Sequence, residues 1–199
     1  MSWKKKALIA LGAVVLLICG AAAWMLGPAL LPAKNIAVGV PLGGKVPLDL
    51  ALRDREGKPT SLAAQMGPKG MVLFFVRSAD WCPFCKAQMV RTNQITSAIT
   101  GKGLSLAVLS YDKPEILAEF KANNSISYPL LSDTGSNMID ALGLRDPQYE
   151  QGSFAYGVPR ASTLVIAPDG TVKAKWISED YRSRISNDEV VAMVDGAGL

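Results

Sequence analysis

Two cysteines that are separated by two residues carry the clearest chemistry in the sequence. Cys82 and Cys85 stand in the segment Trp81-Cys82-Pro83-Phe84-Cys85, which follows an apolar run and opens a predicted helix. Cysteines at positions i and i+3 of a helix start are close enough to form a small disulfide ring. The free backbone N–H groups there stabilise a thiolate. We therefore predict that Cys82 is the reactive thiol and that Cys85, one turn further in and more buried, resolves a mixed disulfide.

The residues around the cysteines are expected to adjust their reactivity. Pro83 and Phe84 stand between the two thiols and are predicted to tune the reduction potential of the pair. Trp81 is expected to pack beside the thiol and to shape a docking surface, with plain core packing as the alternative. Lys86 adds positive potential at the helix start, and Asp80 opposes it.

The absence of histidine removes several kinds of catalysis. None of the 199 residues is a histidine. Hydrolases with a Ser-His-Asp or Cys-His arrangement are excluded because the general base is missing, and so are histidine-ligated zinc, iron and haem. Two cysteines cannot complete a four-ligand zinc site, so we predict no metal and no other cofactor. A purely structural disulfide is an alternative, although so short a loop contributes little chain-entropy stabilisation.

The net charge of +4 comes from the N-terminal part of the chain. The lysines at positions 4–6 and Lys34 precede Asn35, and the rest of the chain carries 17 basic and 17 acidic residues. A formally neutral domain lacks the basic surface that nucleic-acid binding requires, so no nucleic-acid partner is predicted.

The start of the chain has the pattern of a membrane anchor. The three lysines at 4–6 precede residues 7–26, twenty residues without a charge, which are enough to cross a bilayer as a helix. Lysines stay on the cytoplasmic side, so the rest of the chain is predicted to face the extracytoplasmic (periplasmic) side. A cleaved signal peptide is the alternative, since residues 21–23 offer a cleavage site before Trp24. Cys19 is interpreted as a small apolar side chain within this run.

The sequence divides into segments of different composition. We predict a cytoplasmic basic segment at 1–6, an anchor or uncleaved signal at 7–26, a linker at 27–46 and a folded domain at 47–199. The linker is inferred from glycines and prolines that follow no period.

The domain alternates apolar runs with predicted helices. Strands are predicted at 71–76, 104–109, 163–166 and 172–177, and the turn signal Ala167-Pro168-Asp169-Gly170 makes the last two a hairpin. Helices are predicted over 82–100 and 136–142, and from Asp112 and Ser186 onward. This order indicates an α/β fold, a three-layer sandwich around a central mixed sheet.

Capping boxes are predicted at the start of two of these helices. Asp112 is expected to cap one helix, with Pro114 in its first turn and Glu115 three residues after the cap. Ser186 and Glu189 have the same spacing at the start of the last helix.

Residues 45–195 resemble the thioredoxin superfamily, and most closely its alkyl hydroperoxide reductase/thiol-specific antioxidant branch, the peroxiredoxin-like redoxins. The resemblance implies a thioredoxin fold and thiol-based redox activity, with Cys82 as the nucleophile. The matching stretches are Leu48-Asp49-Leu50, residues 56–62, Phe74 to Arg77 leading into Trp81-Cys82-Pro83-Phe84-Cys85, Ser110-Tyr111-Asp112, residues 128–133, Tyr156-Gly157-Val158-Pro159, and residues 162–166 with Asp169-Gly170.

The chain departs from the peroxiredoxin pattern near the cysteines. Peroxiredoxins commonly carry Pro-x-x-x-Thr-x-x-Cys, and the corresponding positions here are Phe75 and Ala79. The hydroxyl that helps to orient a peroxide is therefore missing, and Ser78 lies one residue away. We predict that Arg160 supplies a cation near the thiolate, and Arg77 is a second candidate.

A further departure concerns thioredoxin-like reductases, which usually place a cis-proline opposite the cysteines. Ala161 occupies that position, and Pro159 lies two residues earlier. A cis bond before alanine is costly, which weakens an ordinary thioredoxin mechanism. Residues 181–184 are interpreted as a solvated loop, with an anionic patch as the alternative.

Three functions stay open on the sequence alone. The chain is predicted to be a membrane-anchored thiol oxidoreductase that reduces peroxides, with an external dithiol as electron donor. The first alternative is thiol-disulfide exchange with exported proteins. The second is a non-enzymatic, membrane-tethered binding module with an inert disulfide, which requires a buried Cys82.

Overall fold

The strand that precedes the cysteines is buried on both faces. In this computed structural model, which describes residues 3–30 and 34–199, Val72, Phe74 and Val76 enter one hydrophobic core. Met71, Leu73 and Phe75 alternate with them and enter the core on the opposite face. The alternation follows from the two-residue period of a β-strand, and it explains why the sequence reads as an unbroken apolar run.

Helices and strands alternate through the domain. The strands are β1 (Leu52–Arg53), β2 (Pro59–Thr60), β3 (Gly70–Phe75), β4 (Leu104–Ser110), β5 (Leu130–Ser132), β6 (Ser162–Ile166) and β7 (Val172–Ile177). The helices are α1 (Trp3–Leu30), α2 (Pro83–Thr92), α3 (Thr96–Gly101), α4 (Pro114–Asn124), α5 (Asn137–Ala141) and α6 (Asn187–Gly196), with short 3-10 helices at Ala63–Gln65 and Asn93–Ile95.

Within the described residues, the strands form one mixed sheet in the order β2-β1-β5-β4-β3-β6-β7. β3 pairs in parallel with β4 and antiparallel with β6. β6 and β7 form the predicted antiparallel hairpin. Helices α2, α3, α4 and α6 contribute to the core on one face, whereas α5 contributes to the other. The predicted α/β sandwich with a mixed, thioredoxin-like sheet is confirmed.

The helix predicted over 82–100 is interrupted. α2 ends at Thr92, the 3-10 turn Asn93–Ile95 follows, and α3 begins at Thr96. Thr92 and Thr96 flank the break, and β-branched residues of this kind are weak helix formers. Ile95 and Ile99 are nevertheless buried.

The capping predictions had different outcomes. Ser186 caps α6 as predicted, because its side chain accepts from Glu189 N and the Glu189 carboxylate accepts from Ser186 N. The prediction for Asp112 is wrong: α4 begins at Pro114, and its N-cap residue, Lys113, makes no side-chain capping bond. The Asp112 carboxylate faces the loop ahead of the cysteines instead, because two donors from that loop, Ser78 and Ala79, and one from the end of β4, Ser110, hydrogen-bond to it.

Part of the predicted linker packs against the domain. Ile36 N donates to Ile177 O at 2.9 Å, and Val40 N donates to Leu142 O at 2.8 Å. The Lys175 ammonium donates to the carbonyls of Val38 and Val40. From Asn35 to Val46 the chain therefore lies along the sheet and does not stand clear of it as a flexible linker would.

The N-terminal helix α1 includes the predicted anchor at 7–26. Among the described residues, however, no helix satisfies the combined length and hydropathy expected of a membrane span. The transmembrane anchor predicted from the sequence is therefore not confirmed.

Candidate active site

The two cysteines lie at the amino end of α2, and a loop connects this helix to the end of β3. Cys82 is the N-cap residue, its sulfur accepts from Cys85 N at 3.3 Å, and Pro83 occupies the first turn. Pro fits this position because its missing N–H has no partner to lose there. The sulfurs of Cys82 and Cys85 form a disulfide, with 5.3 Å between their Cα atoms.

Both cysteines are buried in the core beneath α2. Cys82 is 1% exposed and Cys85 is 0% exposed, so the predicted difference in burial between them is not seen. The helix N-terminus still presents the backbone N–H of Cys85 to the sulfur of Cys82. That contact favours a negatively charged Cys82 over a negatively charged Cys85.

A buried polar network fixes the loop between β3 and α2. The Asp112 carboxylate accepts from Ser78 Oγ at 2.8 Å, from Ala79 N at 2.6 Å and from Ser110 Oγ at 2.9 Å. Ser78 Oγ in turn accepts from Asp80 N at 2.9 Å. Burial raises the pKa of Asp112, and the hydrogen bonds from the loop oppose that rise. The carboxyl ends of β3 and β4 are adjacent because the strands are parallel, which brings these residues together.

Ser78 does not replace the missing hydroxyl of the peroxiredoxin pattern in this arrangement. Its oxygen donates to Asp112 and accepts from the backbone N–H groups of Asp80 and Trp81. Ala79 is buried, and its methyl group offers no hydrogen bond. The residues ahead of Cys82 thus shape the loop and leave no free hydroxyl among them.

Trp81 lies at the rim of the site. Its indole Nε1 donates to the Tyr111 hydroxyl at 3.1 Å, and its ring makes an edge contact with Phe154 at 5.4 Å. Burial raises the pKa of Tyr111. Phe154 is 76% exposed, so Trp81 combines core packing with a place next to an exposed aromatic side chain.

Arg184 reaches the disulfide, which the sequence analysis did not foresee. Its Nη2 lies 3.3 Å from the Cys85 sulfur and 4.0 Å from the Cys82 sulfur. The solvated-loop interpretation of 181–184 is therefore wrong for this residue. No local pattern marks it, because 99 positions separate it from Cys85 and only the fold brings the two together.

Arg77 is enclosed by aromatic rings close to the same site. It is fully buried, and its guanidinium carbon lies 3.9 Å from the ring centre of Tyr181, 4.8 Å from that of Tyr149 and 5.3 Å from that of Trp81. It donates a hydrogen bond to the Tyr149 hydroxyl. The aromatic faces stabilise its charge, which no carboxylate among the described ion pairs balances.

The other predicted cations do not meet the sulfurs in this structure. Arg160 lines a cavity of about 340 Å³ whose walls include Asp146 and Asp180 and neither cysteine. The Lys86 ammonium donates to the Asp80 carbonyl at the surface. The role predicted for Arg160 stays a prediction, and Arg184 occupies the position expected of it.

A metal is not suggested by the side chains present. Within the described ranges, no three His, Cys, Asp or Glu side chains are grouped as ligands for a metal ion. Cys19, the free cysteine there, is exposed on α1 and distant in sequence from the pair.

Comparison with known proteins identifies the family. A model described as the AhpC/TSA family matches residues 42–175, which include the sheet strands from β1 to β6 and both cysteines. The chain belongs to the AhpC/TSA family. The resemblance inferred from the sequence is confirmed.

Its relatives within and near the AhpC/TSA family are redox proteins. A putative peroxiredoxin of Mycobacterium tuberculosis is 32% identical over 130 residues, which make up 65% of this chain and 80% of that protein. The thiol-disulfide oxidoreductase ResA of Bacillus cereus is 26% identical over 183 residues, or 92% of this chain and 94% of that protein. The crystal structure of the peroxidoxin BcpB from M. tuberculosis aligns with a TM-score of 0.61 at 23% identity, covering 82% of this chain and 96% of that one.

The family match and these relatives show that the chain is a thiol oxidoreductase of thioredoxin-like fold. The alternative of a non-enzymatic binding module is set aside with this result, although Cys82 is buried as that alternative required.

Proposed function

We propose that this thiol oxidoreductase reduces peroxides through Cys82 and Cys85. The observation that carries the proposal is the Arg184 guanidinium, which lies within 4.0 Å of both sulfurs. A fixed cation at this place stabilises the Cys82 thiolate and the negative charge that develops on the peroxide oxygens during attack. The similarity to a putative peroxiredoxin supports the same reaction.

The proposed reaction has two steps. The Cys82 thiolate attacks one oxygen of the peroxide, the O–O bond breaks, and the leaving oxygen takes a proton to give water or an alcohol. Cys82 is then a sulfenic acid. The Cys85 thiol displaces its hydroxyl as water and forms the disulfide. An external dithiol later returns two electrons, which restores the Cys85 thiol and the Cys82 thiolate and releases one proton to solvent.

The burial of Cys82 favours a small oxidant. With 1% of Cys82 exposed, a hydroperoxide needs only a small side-chain movement to reach the sulfur. A protein disulfide needs a gap wide enough for a second backbone, so the loop over the cysteines would have to open further.

Thiol-disulfide exchange is the second candidate, and Ala79 is the observation that favours it. A peroxiredoxin site uses a hydroxyl at that position, whereas Ala79 has none and the Ser78 hydroxyl is engaged by Asp112. In that reaction Cys82 attacks a substrate disulfide and Cys85 releases the product. The similarity to ResA supports this candidate.

The chain is further proposed to be attached to a membrane, with its domain on the extracytoplasmic side. The support is the uncharged run 7–26 after three lysines. Sodium carbonate washing of membranes is the test, with a chain lacking residues 1–30 as the matched control. Release of both chains would contradict the anchor, and loss of residues 1–23 from the mature protein would instead favour a cleaved signal.

Stopped-flow oxidation decides between the two reactions. The reduced full chain is mixed with hydrogen peroxide or with a model protein disulfide while tryptophan fluorescence is followed, and Trp81→Phe assigns the signal. Fast oxidation by peroxide that disappears in Cys82→Ser supports the peroxidase. Fast reaction with the disulfide and slow reaction with peroxide supports exchange and contradicts the peroxidase.

Cys85→Ser supplies the sharper control. In a peroxidase this variant should still consume one equivalent of peroxide and stop at a sulfenic acid on Cys82, which dimedone traps. In an exchange enzyme it should instead trap a mixed disulfide with the protein substrate.

A further inference from the structure

The surroundings of the disulfide contain more positive than negative charge. Arg77 is completely buried, and its Nε and Nη1 have no hydrogen-bond partner. Arg184 is partly covered, but its Nε is buried and equally without a partner. Neither arginine belongs to an ion pair within the described part of the chain. Buried donors without acceptors are costly, so an arrangement of this kind calls for an anion.

The loop that carries Arg184 is held in place on both sides of it. Ser178 Oγ donates to the carbonyls of Asp180 and Ser183. On the other side, Arg91 donates to the Ile185 carbonyl at 3.2 Å. The position of the guanidinium over the sulfurs is therefore built by the fold and does not depend on a free side chain swinging in from solvent.

The charged groups that face Arg184 do not neutralise it. Arg77 and Arg91 add positive charge, while the Asp180 carboxylate opposes them. The Asp180 carboxylate is already paired with Arg182, whose Nη2 lies 2.7 Å from it. Burial, followed by the Arg77 charge, lowers the pKa of Arg184 to about 9, which leaves it protonated at neutral pH.

A disulfide is neutral and cannot balance these two arginines, whereas the reduced pair can carry the negative charge of a thiolate. We infer that Arg184 is the counter-ion of a thiolate in the reduced pair and thereby makes the Cys82–Cys85 couple more oxidising. The guanidinium is 3.3 Å from the Cys85 sulfur and 4.0 Å from the Cys82 sulfur, so it can stabilise a thiolate on either. The Cys85 N–H, which donates to the Cys82 sulfur, places that charge on Cys82. This inference rests on thiol oxidoreductase activity, and it applies whether a peroxide oxidises the pair or the pair exchanges with protein thiols. It names Arg184 as an electrostatic residue of the site in the place predicted for Arg160.

The electron balance of the reduction shows what Arg184 changes. An external dithiol donates two electrons, its two sulfurs join as a disulfide, and the Cys82–Cys85 bond breaks. The external dithiol also gives up two protons. One protonates Cys85, and the other goes to solvent because Cys82 stays a thiolate beside Arg184. The guanidinium stabilises only this product, so it displaces the equilibrium towards the reduced protein.

The direction of exchange follows from this equilibrium. A couple whose reduced form is stabilised accepts electrons readily, so weak thiol donors suffice to reduce it. If protein substrates are used, reduced protein dithiols are the substrate class that the site favours, and the chain oxidises them. It would act poorly as a reductant of stable disulfides.

Arg184→Gln tests the inference, and Lys86→Gln is the matched control. Both variants remove one positive charge, and Lys86 follows Cys85 directly in sequence, but its ammonium points to the Asp80 carbonyl. The reduced full chain is titrated by its thiolate absorbance at 240 nm, and the oxidised chain is equilibrated with glutathione. Near-ultraviolet circular dichroism confirms that each variant is folded.

In Arg184→Gln we expect the proton affinity of the thiolate to rise about tenfold or more, and the equilibrium constant for reduction to fall by a similar factor. Arg184→Lys should recover part of both. If Arg184→Gln and Lys86→Gln have the same thiolate proton affinity and the same equilibrium constant for reduction, the inference is overturned. If the Gln variant does not fold, the wild-type titration decides, because a thiolate that forms only at the pH of a free cysteine also overturns it. Neither measurement uses peroxide or a protein disulfide, so it is independent of the function proposed above.

Discussion

Asp112 connects the end of β4 to the loop ahead of the cysteines. A single carboxylate accepts from Ser78 and Ser110 side chains and from the Ala79 backbone. A buried carboxylate is tolerated there because it receives several hydrogen bonds at once. The loop conformation that presents Cys82 at the start of α2 thus depends on a residue from the neighbouring strand.

Asp112→Asn is expected to destabilise the protein by about 1–3 kcal/mol, because the amide cannot accept from all three donors. Burial raises the pKa of Asp112 in the folded state above its unfolded value. The folded protein therefore holds the proton more tightly, and its free energy of unfolding falls as the pH rises from the unfolded value through the raised one. Denaturant unfolding between about pH 3.5 and 7 should show a smaller fall in the variant.

The control for this prediction is Asp49→Asn, which alters an exposed carboxylate. It should leave both the stability and its pH dependence close to those of the wild type. Equal pH slopes in Asp112→Asn and the wild type would contradict the role given to Asp112.

At the level of elements, β3 is the strand on which the site depends, and Gly70 sets where it begins. Gly70 has a φ of +132°, and a Cβ there would lie 2.3 Å from the Ile166 carbonyl oxygen of β6. Only glycine allows the two backbones to approach this closely. The close contact lies beside the first pair of the β3–β6 register, Met71 with Ile166.

Gly70→Ala is expected to lower the free energy of unfolding by at least about 1–3 kcal/mol, from the backbone strain alone. The overlap with β6 should add to this loss and disturb the cysteines at the far end of β3. Gly101→Ala is the control, since Gly101 ends α3 with open space where a Cβ would be. It should be neutral or stabilising by up to about 1 kcal/mol. Urea unfolding measures both, and equal losses would refute the argument.

Across the whole molecule, the redox state of one pair is expected to change global stability. The disulfide closes a ring between residues only three positions apart, so it restricts the unfolded chain little. The reduced state gains a thiolate for the buried cations instead. We therefore expect the melting temperature to rise on reduction, contrary to the behaviour of a structural disulfide.

Differential scanning calorimetry of the oxidised and reduced full chain checks this prediction. Arg184→Gln should abolish or reverse the difference, because the thiolate then loses its counter-ion. A lower melting temperature for the reduced wild type would show that the disulfide acts as a structural cross-link.

The boundary of the domain gives a second prediction for the whole molecule. A chain that begins at residue 47 should be less stable than one that begins at Lys34, because Ile36, Val38 and Val40 pack against the core. Full burial of one such side chain contributes roughly 1.5–3 kcal/mol, and these three side chains are partly buried. Denaturant midpoints of the two chains provide the measurement. Equal midpoints would show that residues 35–46 are a linker after all.

Local patterns in the sequence carried much of the fold. Largely apolar runs identified β3, β4 and β6, a turn signal placed β7 in a hairpin with β6, and a capping box located the start of α6, because these signals depend on neighbouring residues. The same logic failed at Asp112, where the Asp-x-x-Glu spacing suggested a helix cap. The carboxylate had better donors in the loop after β3, and no local pattern records donors that the fold brings together.

By itself, the sequence determined that the chemistry would be dithiol chemistry. It has no histidine, a single Cys-x-x-Cys pair and a buried strand that leads to a helix start, and each of these is a property of neighbouring residues or of composition. Only the tertiary structure decided which cation meets the sulfurs. No local sequence pattern distinguishes Arg160 from Arg184 as the cation near the sulfurs. In the structure, the loop after β7 places Arg184 next to the disulfide, whereas Arg160 lines a separate cavity. The electrostatic interaction between a cation and a thiolate depends on their separation in space, and the order of residues along the chain does not specify that separation.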